Sequence, residues 1–232
     1  MESRADRTAT GAGKIGRVTP SGVVTEFGDD FPYAYLNNGI TTGADGNLWF
    51  SENSALAVTA IGRITPSGTI THFPIPGKGG PGLLTLGPDG NVWFTEILAN
   101  RIGKITPAGV ITDYPLPAPF TSPIAITTGP DGNLWFTDVR QIGTITTSGS
   151  IIRALPVPAR ATDVGFIATG SDGNVWFTLP STTGYPYIGE VCRVNIAVQP
   201  GSIPTLGLLG YTFLAAALAI GGLYLLWGAV HG

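Results

Sequence analysis

Apolar residues come in short runs along most of the chain, separated by punctuation rich in Gly, Pro, Asn and Asp, and become continuous only beyond Ser202. Runs this short, with Ile, Val, Thr and aromatic residues between turn residues, predict β-strands rather than helices. One of them breaks the in-out alternation of a sheet with one wet face: Leu48, Trp49 and Phe50 are consecutive. Both faces of that strand must be covered.

An aromatic pair recurs after each of four Asp-Gly-Asn triplets, which begin at Asp45, Asp89, Asp131 and Asp172 and so lie 41 to 44 residues apart. A fixed period of this length marks a structural repeat. In the third copy a first strand, Ala125 to Thr128, precedes a tight turn at Asp131-Gly132, a dipeptide that tolerates positive φ. A second strand follows from Leu134 to Thr137 and a third from Ile142-Gly143. A turn of the kind Thr65-Pro66-Ser67-Gly68 or Thr106-Pro107-Ala108-Gly109 then leads to a fourth. Each unit is thus an antiparallel meander. Packing such sheets side by side covers both faces of each, with Trp49, Trp93, Trp135 and Trp176 filling the spaces between them. The expected fold is an all-β propeller of about four four-stranded blades over residues 14–194, entered at Lys14-Ile15-Gly16-Arg17 in the third strand of a blade.

Composition agrees with that architecture: 34 glycines, 19 prolines and only 12% charged residues suit many short strands and tight turns. The net charge of -3, with no Lys/Arg cluster, argues against a nucleic-acid partner. Cys192 stands alone, which excludes an internal disulfide framework. Residues 1–13 read as a disordered polar stub without the apolar core of an export signal. No Gly-x-Ser-x-Gly elbow, phosphate loop or paired-cysteine metal motif occurs.

The Asp-Gly-Asn and Pro-x-Gly turns both follow odd-numbered strands, so they share one face, and their uniform length marks it as scaffold. The opposite face carries the variable connections: Glu52 to Ala60, Glu96 to Arg101, Asp138 to Gln141, Leu179 to Tyr187, and the blade-to-blade segment Gly28 to Asn38. Variable loops on a rigid frame are where binding resides. Just after each aromatic pair stand Glu52, Glu96, Asp138 and finally Leu179. Two readings of the three acids stay open. They converge on a hard cation such as Mg²⁺ or Ca²⁺, or each caps its own strand end and pairs with a nearby Asn, Arg or backbone N–H. Asn53, Asn100, Arg101 and Arg140 are the accompanying candidates on the ligand face. His72 falls in an outer strand, as a solvated or hydrogen-bonded edge histidine; the other histidine, His231, lies beyond the apolar tail.

The tail is distinct in kind. Residues 203–230 contain more than the ~20 apolar residues a bilayer-crossing helix needs and no charge. This predicts one C-terminal transmembrane helix and membrane association, joined to the blades by a linker over 195–202, with Tyr211, Tyr224 and Trp227 as interfacial anchors.

The segments GPDGNVWFTE (87–96), NRIGKITP (100–107) and Tyr114-Pro115-Leu116-Pro117 resemble the streptogramin (virginiamycin B) lyase family, over about residues 14–194. That resemblance implies part of a seven-bladed ring. It also implies a Mg²⁺-dependent elimination that opens a cyclic depsipeptide antibiotic, run by a histidine base beside metal-binding glutamates. Glu52 and Glu96 match the blade position of those acids; the histidine has no counterpart. The opening of the tail, Ile203-Pro204-Thr205-Leu206, resembles the IPTL-type C-terminal sorting signal of Gram-negative bacteria, which implies export, surface tethering and a sorting protease as partner. The expectation is therefore an exported, membrane-tethered propeller that binds a small molecule or protein without catalysis, its natural N-terminal blades and signal peptide missing. The alternatives are the Mg²⁺-dependent lyase and a lactonase-like metal hydrolase.

Overall fold

The computed structural model describes residues 13–28, 34–35, 39–54, 59–77, 79–157, 164–179 and 190–194. The stub through residue 12, the linker 195–202 and the predicted membrane helix over 203–230 lie outside the described residues.

Strands β1 (Ile15–Val18) and β2 (Val24–Phe27) form a two-stranded sheet. The next sheet contains β3 (Ala34–Tyr35), β4 (Ile40–Thr42), β5 (Leu48–Ser54), β6 (Thr59–Ile64) and β7 (Ile70–Pro74), with β4 to β7 as the meander and β3 pairing the far end of β5. Two regular four-stranded sheets follow. One comprises β8 (Pro81–Leu86), β9 (Val92–Glu96), β10 (Arg101–Ile105) and β11 (Ile111–Pro115). The other comprises β12 (Ile126–Thr128), β13 (Leu134–Asp138), β14 (Gln141–Ile145) and β15 (Ile151–Pro156). A three-stranded sheet of β16 (Ile167–Thr169), β17 (Val175–Leu179) and β18 (Glu190–Val194) ends the described chain. All pairings are antiparallel, and the first strands β4, β8, β12 and β16 lie side by side, as the inner strands of successive blades. Among the described residues the repeat thus forms successive antiparallel sheets, two of them four-stranded, as the blade reading expects.

The turns account for the repeat. Gly46, Gly90, Gly132 and Gly173 take φ of 72° to 76°, the left-handed region glycine enters without a Cβ penalty. The preceding aspartate then does more than turn the chain. Asp45 Oδ1 accepts from Trp49 Nε1 at 3.1 Å, and Asp89–Trp93, Asp131–Trp135 and Asp172–Trp176 repeat the bond at 2.9 to 3.1 Å. Burial works to raise the Asp45 carboxyl, but hydrogen bonds from Asn47 and Trp49 outweigh it and leave the group below its ordinary range.

The seams between blades are the core. Along the second strand, side chains alternate between the two seams that flank its blade. Trp49 packs forward with Leu84, Val92 and Phe94 of the next blade, whereas Phe50 packs backward with Ile15 and Ile64. Trp93 and Phe136 meet in the following seam. Trp49, Trp93, Trp135, Phe94 and Phe136 are all fully buried, which is why these strands carry no polar alternation. Polar bonds stitch the same seams: Arg17 Nη1 to the Pro66 carbonyl, Arg63 Nη1 to the Pro107 carbonyl, and Thr95 Oγ1 to the Ile124 carbonyl, each 3.0 to 3.1 Å.

Candidate functional site

Glu52, Glu96 and Asp138 sit two residues past Phe50, Phe94 and Phe136, so their side chains share the backward-facing side of each strand. The structure therefore sets them in three successive seams, and all three are buried. Among the described residues no three His, Cys, Asp or Glu side chains come close enough to hold one metal ion. Each acid instead has surroundings of its own.

Asp138 is held by backbone. Its Oδ2 accepts from Thr121 N at 3.0 Å and Ser122 N at 2.7 Å, both in the segment that enters its blade. Glu52 Oε2 lies 2.8 Å from His72 Nδ1. His72 lies on the outer strand opposite Gly62, where the missing Cβ makes room for the Phe50 ring. The edge histidine read from sequence is thus hydrogen-bonded, and its partner is one of the predicted site acids.

Glu96 differs. No donor among the described residues reaches either of its oxygens or Asp113 Oδ1, although all three atoms are buried. Asp113 occupies in its blade the position of His72, opposite Gly103. Burial first, and then the charge of Asp113 and hydrogen bonding to it, push the Glu96 carboxyl up to about 8, against a smaller lowering by Arg101. At neutral pH the Glu96 carboxyl therefore favours its protonated form. Arg101 Nη1 stands 3.6 Å from Asp113 Oδ2. Two close carboxyls with buried free lone pairs and no competing amide donor are a hard-oxygen donor set, which suits Mg²⁺ or Ca²⁺.

The remaining candidates divide. Asn53 Nδ2 donates to the Pro81 carbonyl of the next blade at 3.0 Å, and Asn100 Nδ2 to the Phe120 carbonyl at 2.9 Å, so both amides brace connections. Asn100 adopts φ 51°, closing the tight turn between β9 and β10. Arg140 is exposed in the two-residue turn between β13 and β14, and its carbonyl accepts from Val157 N. Asp113 was missed in the sequence because it lies on an outer strand, far along the chain from the loop face. Its signal was an acid at the inward-facing position of that strand.

A family profile described as the virginiamycin B lyase family matches residues 6–199. A streptogramin B lyase structure is 34% identical with TM-score 0.65, covering 82% of this chain and 64% of that one. Virginiamycin B lyase from Staphylococcus aureus is 35% identical with TM-score 0.64, covering 81% and 65%. A catalytically inactive histidine-to-alanine form of the Staphylococcus aureus enzyme with quinupristin is 36% identical with TM-score 0.66, again covering 81% and 65%. The chain thus spans just under two thirds of these proteins. A putative gluconolactonase is 18% identical with TM-score 0.56, a likeness of fold alone, over 78% of this chain and 67% of that one. No curated protein shows a significant match.

Proposed function

Since the chain belongs to the virginiamycin B lyase family, we propose that it is a ligand-binding propeller of that family, acting without catalysis and tethered to a membrane through residues 203–230 after export. The observation that carries this reading is the placement of His72. A single histidine substitution inactivates the Staphylococcus aureus relative. Here the described histidine lies on the outer strand β7 and is engaged with Glu52. Its ligand would be a small molecule of the cyclic depsipeptide class or a protein, bound by the connections at the ends of the second strands. Glu96 and Asp113 would hold a Mg²⁺ or Ca²⁺ ion, which supplies a positive charge able to polarise a ligand carbonyl. Arg101 would orient Asp113 toward it.

A second reading, Mg²⁺-dependent lyase activity, is favoured by the same Glu96–Asp113 pair, which would supply oxygen ligands for the Mg²⁺ such chemistry needs. Incubating the full chain with quinupristin and Mg²⁺ separates the two. The expected result is saturable heat of binding with no linearised product by mass spectrometry. Ring opening that Glu96→Ala abolishes would overturn the first reading in favour of the second.

A further inference from the structure

Among the described residues, five buried side-chain oxygens without a hydrogen-bond partner face one seam, that between the β4–β7 and β8–β11 blades. Glu96 Oε1 and Oε2 and Asp113 Oδ1 come from the second of these blades, on the side of its sheet that carries Phe94. Ser51 Oγ and Thr59 Oγ1 come from the first blade. Ser51 stands two residues past Trp49 and Thr59 two before Ile61, and Trp49, Ile61 and Phe94 share one buried cluster. Ser51 and Thr59 are 1% and 7% exposed, and Glu96 is 0% exposed.

The hydroxyls and carboxyls also stand at one level of the seam. Thr59 pairs with Asn53, Asn53 Nδ2 donates to the Pro81 carbonyl across the seam at 3.0 Å, and Pro81 pairs with Glu96. Gly79 packs against the same carboxyl, where a Cβ would collide with Glu96 Oε2. In the later blades the hydroxyl at the Ser51 position is used. Thr95 Oγ1 donates to the Ile124 carbonyl at 3.1 Å, Thr137 Oγ1 donates to the Gly165 carbonyl at 2.9 Å, and Thr178 Oγ1 accepts from Phe166 N at 3.0 Å. Ser51 Oγ has no such bond, so the bracing of the repeat does not account for it. Buried polar atoms in native proteins are paired, and a cluster that is not paired within the chain marks the place of a bound ion or water.

We propose that Ser51, Thr59, Glu96 and Asp113 form one inter-blade cation site that takes Ca²⁺ in preference to Mg²⁺. This rests on the reading of Glu96 and Asp113 as cation ligands and adds two neutral ligands from the preceding blade. Every donor is a hard oxygen. The carboxyls supply the negative charge, with Arg101 beside Asp113 Oδ2 and Oδ1 left for the ion. The two hydroxyls take the place of coordinating water. Ca²⁺ accepts about six to eight oxygens in flexible geometry, whereas Mg²⁺ dehydrates reluctantly and keeps several waters in a tight octahedron. A seam in which the Glu96 carboxyl has no exposed surface, and in which protein oxygens stand where those waters would be, therefore favours Ca²⁺. The bound ion ties the two blades together through side chains of both.

The test is thermal unfolding of the full chain, stripped of metal by a chelator and titrated with Ca²⁺ or Mg²⁺ at about pH 8. Both ions should raise Tm, and Ca²⁺ should reach its half-maximal effect at roughly a tenth of the Mg²⁺ concentration. Ser51→Ala and Thr59→Val each remove a hydroxyl that holds no hydrogen bond within the chain, so without metal both variants should unfold with the parent. Each should raise the Ca²⁺ midpoint roughly tenfold, as the loss of one contact to a charged group does, and move the Mg²⁺ midpoint less. A Ca²⁺ midpoint no lower than that of Mg²⁺, or one that neither variant moves, overturns the inference and leaves Glu96 and Asp113 as cation ligands. No response to either ion, or responses that survive Glu96→Gln, overturns that underlying reading and the inference with it.

Discussion

Asp138 and Glu96 occupy the same position in consecutive blades, and the repeat treats them oppositely. Asp138 accepts two backbone N–H bonds, so its negative charge completes the fold of the segment entering its blade. Glu96 meets another carboxyl, Asp113, and can be accommodated only by holding a proton or a cation. The outer-strand residue and the entering loop decide the difference, because the acids themselves sit in identical register. Glu52 is intermediate, with His72 where Asp113 stands one blade on. A repeat can therefore tie one acid into the fold and leave another without a backbone partner while keeping the same scaffold.

The comparison breaks most visibly at Asp138. Asp138→Ala leaves two backbone donors facing a carboxylate that is gone, and should cost about 3 kcal/mol, read as a lower urea midpoint. Glu96→Gln should act in the opposite direction. The raised Glu96 carboxyl binds its proton more tightly in the folded chain than in the unfolded one. Its contribution is therefore complete below the unfolded value near 4.5 and is lost as pH rises through about 8. A neutral amide that can donate to Asp113 removes that slope. The variant should be more stable than the parent at pH 8 by about 1–2 kcal/mol, and no more stable at pH 4. Urea titrations across that range, run on both proteins, check the crossing. The smallest effect is expected at the intermediate site: His72→Leu, which removes one bond to Glu52, should cost about 1 kcal/mol.

The blades were legible in the sequence because their determinants are local. Asp-Gly sets the turn, the Asp45 carboxyl reaches an indole only four residues away, and consecutive Trp49 and Phe50 announce two covered faces. The acids were legible as a recurring position but not as a site. What distinguishes Glu96 from Asp138 comes from residues 16 to 17 positions away, Asp113 on an outer strand and Thr121 and Ser122 in a loop, brought near by sheet register and blade entry. The roles of Asn53 and Asn100 were hidden in the same way, since their partners are carbonyls of later segments.

The account rests on Glu96 being the acid free to bind a cation, and thermal unfolding at pH 8 with and without Mg²⁺ tests that most directly. A ligand at 100 times its Kd stabilises by ~2.7 kcal/mol, so the parent should show a clear rise in Tm with Mg²⁺. Asp138→Asn should keep that rise, and Glu96→Gln should lose it. An equal rise in Glu96→Gln, or its loss in a folded Asp138→Asn protein, would contradict the division of roles between the two blades.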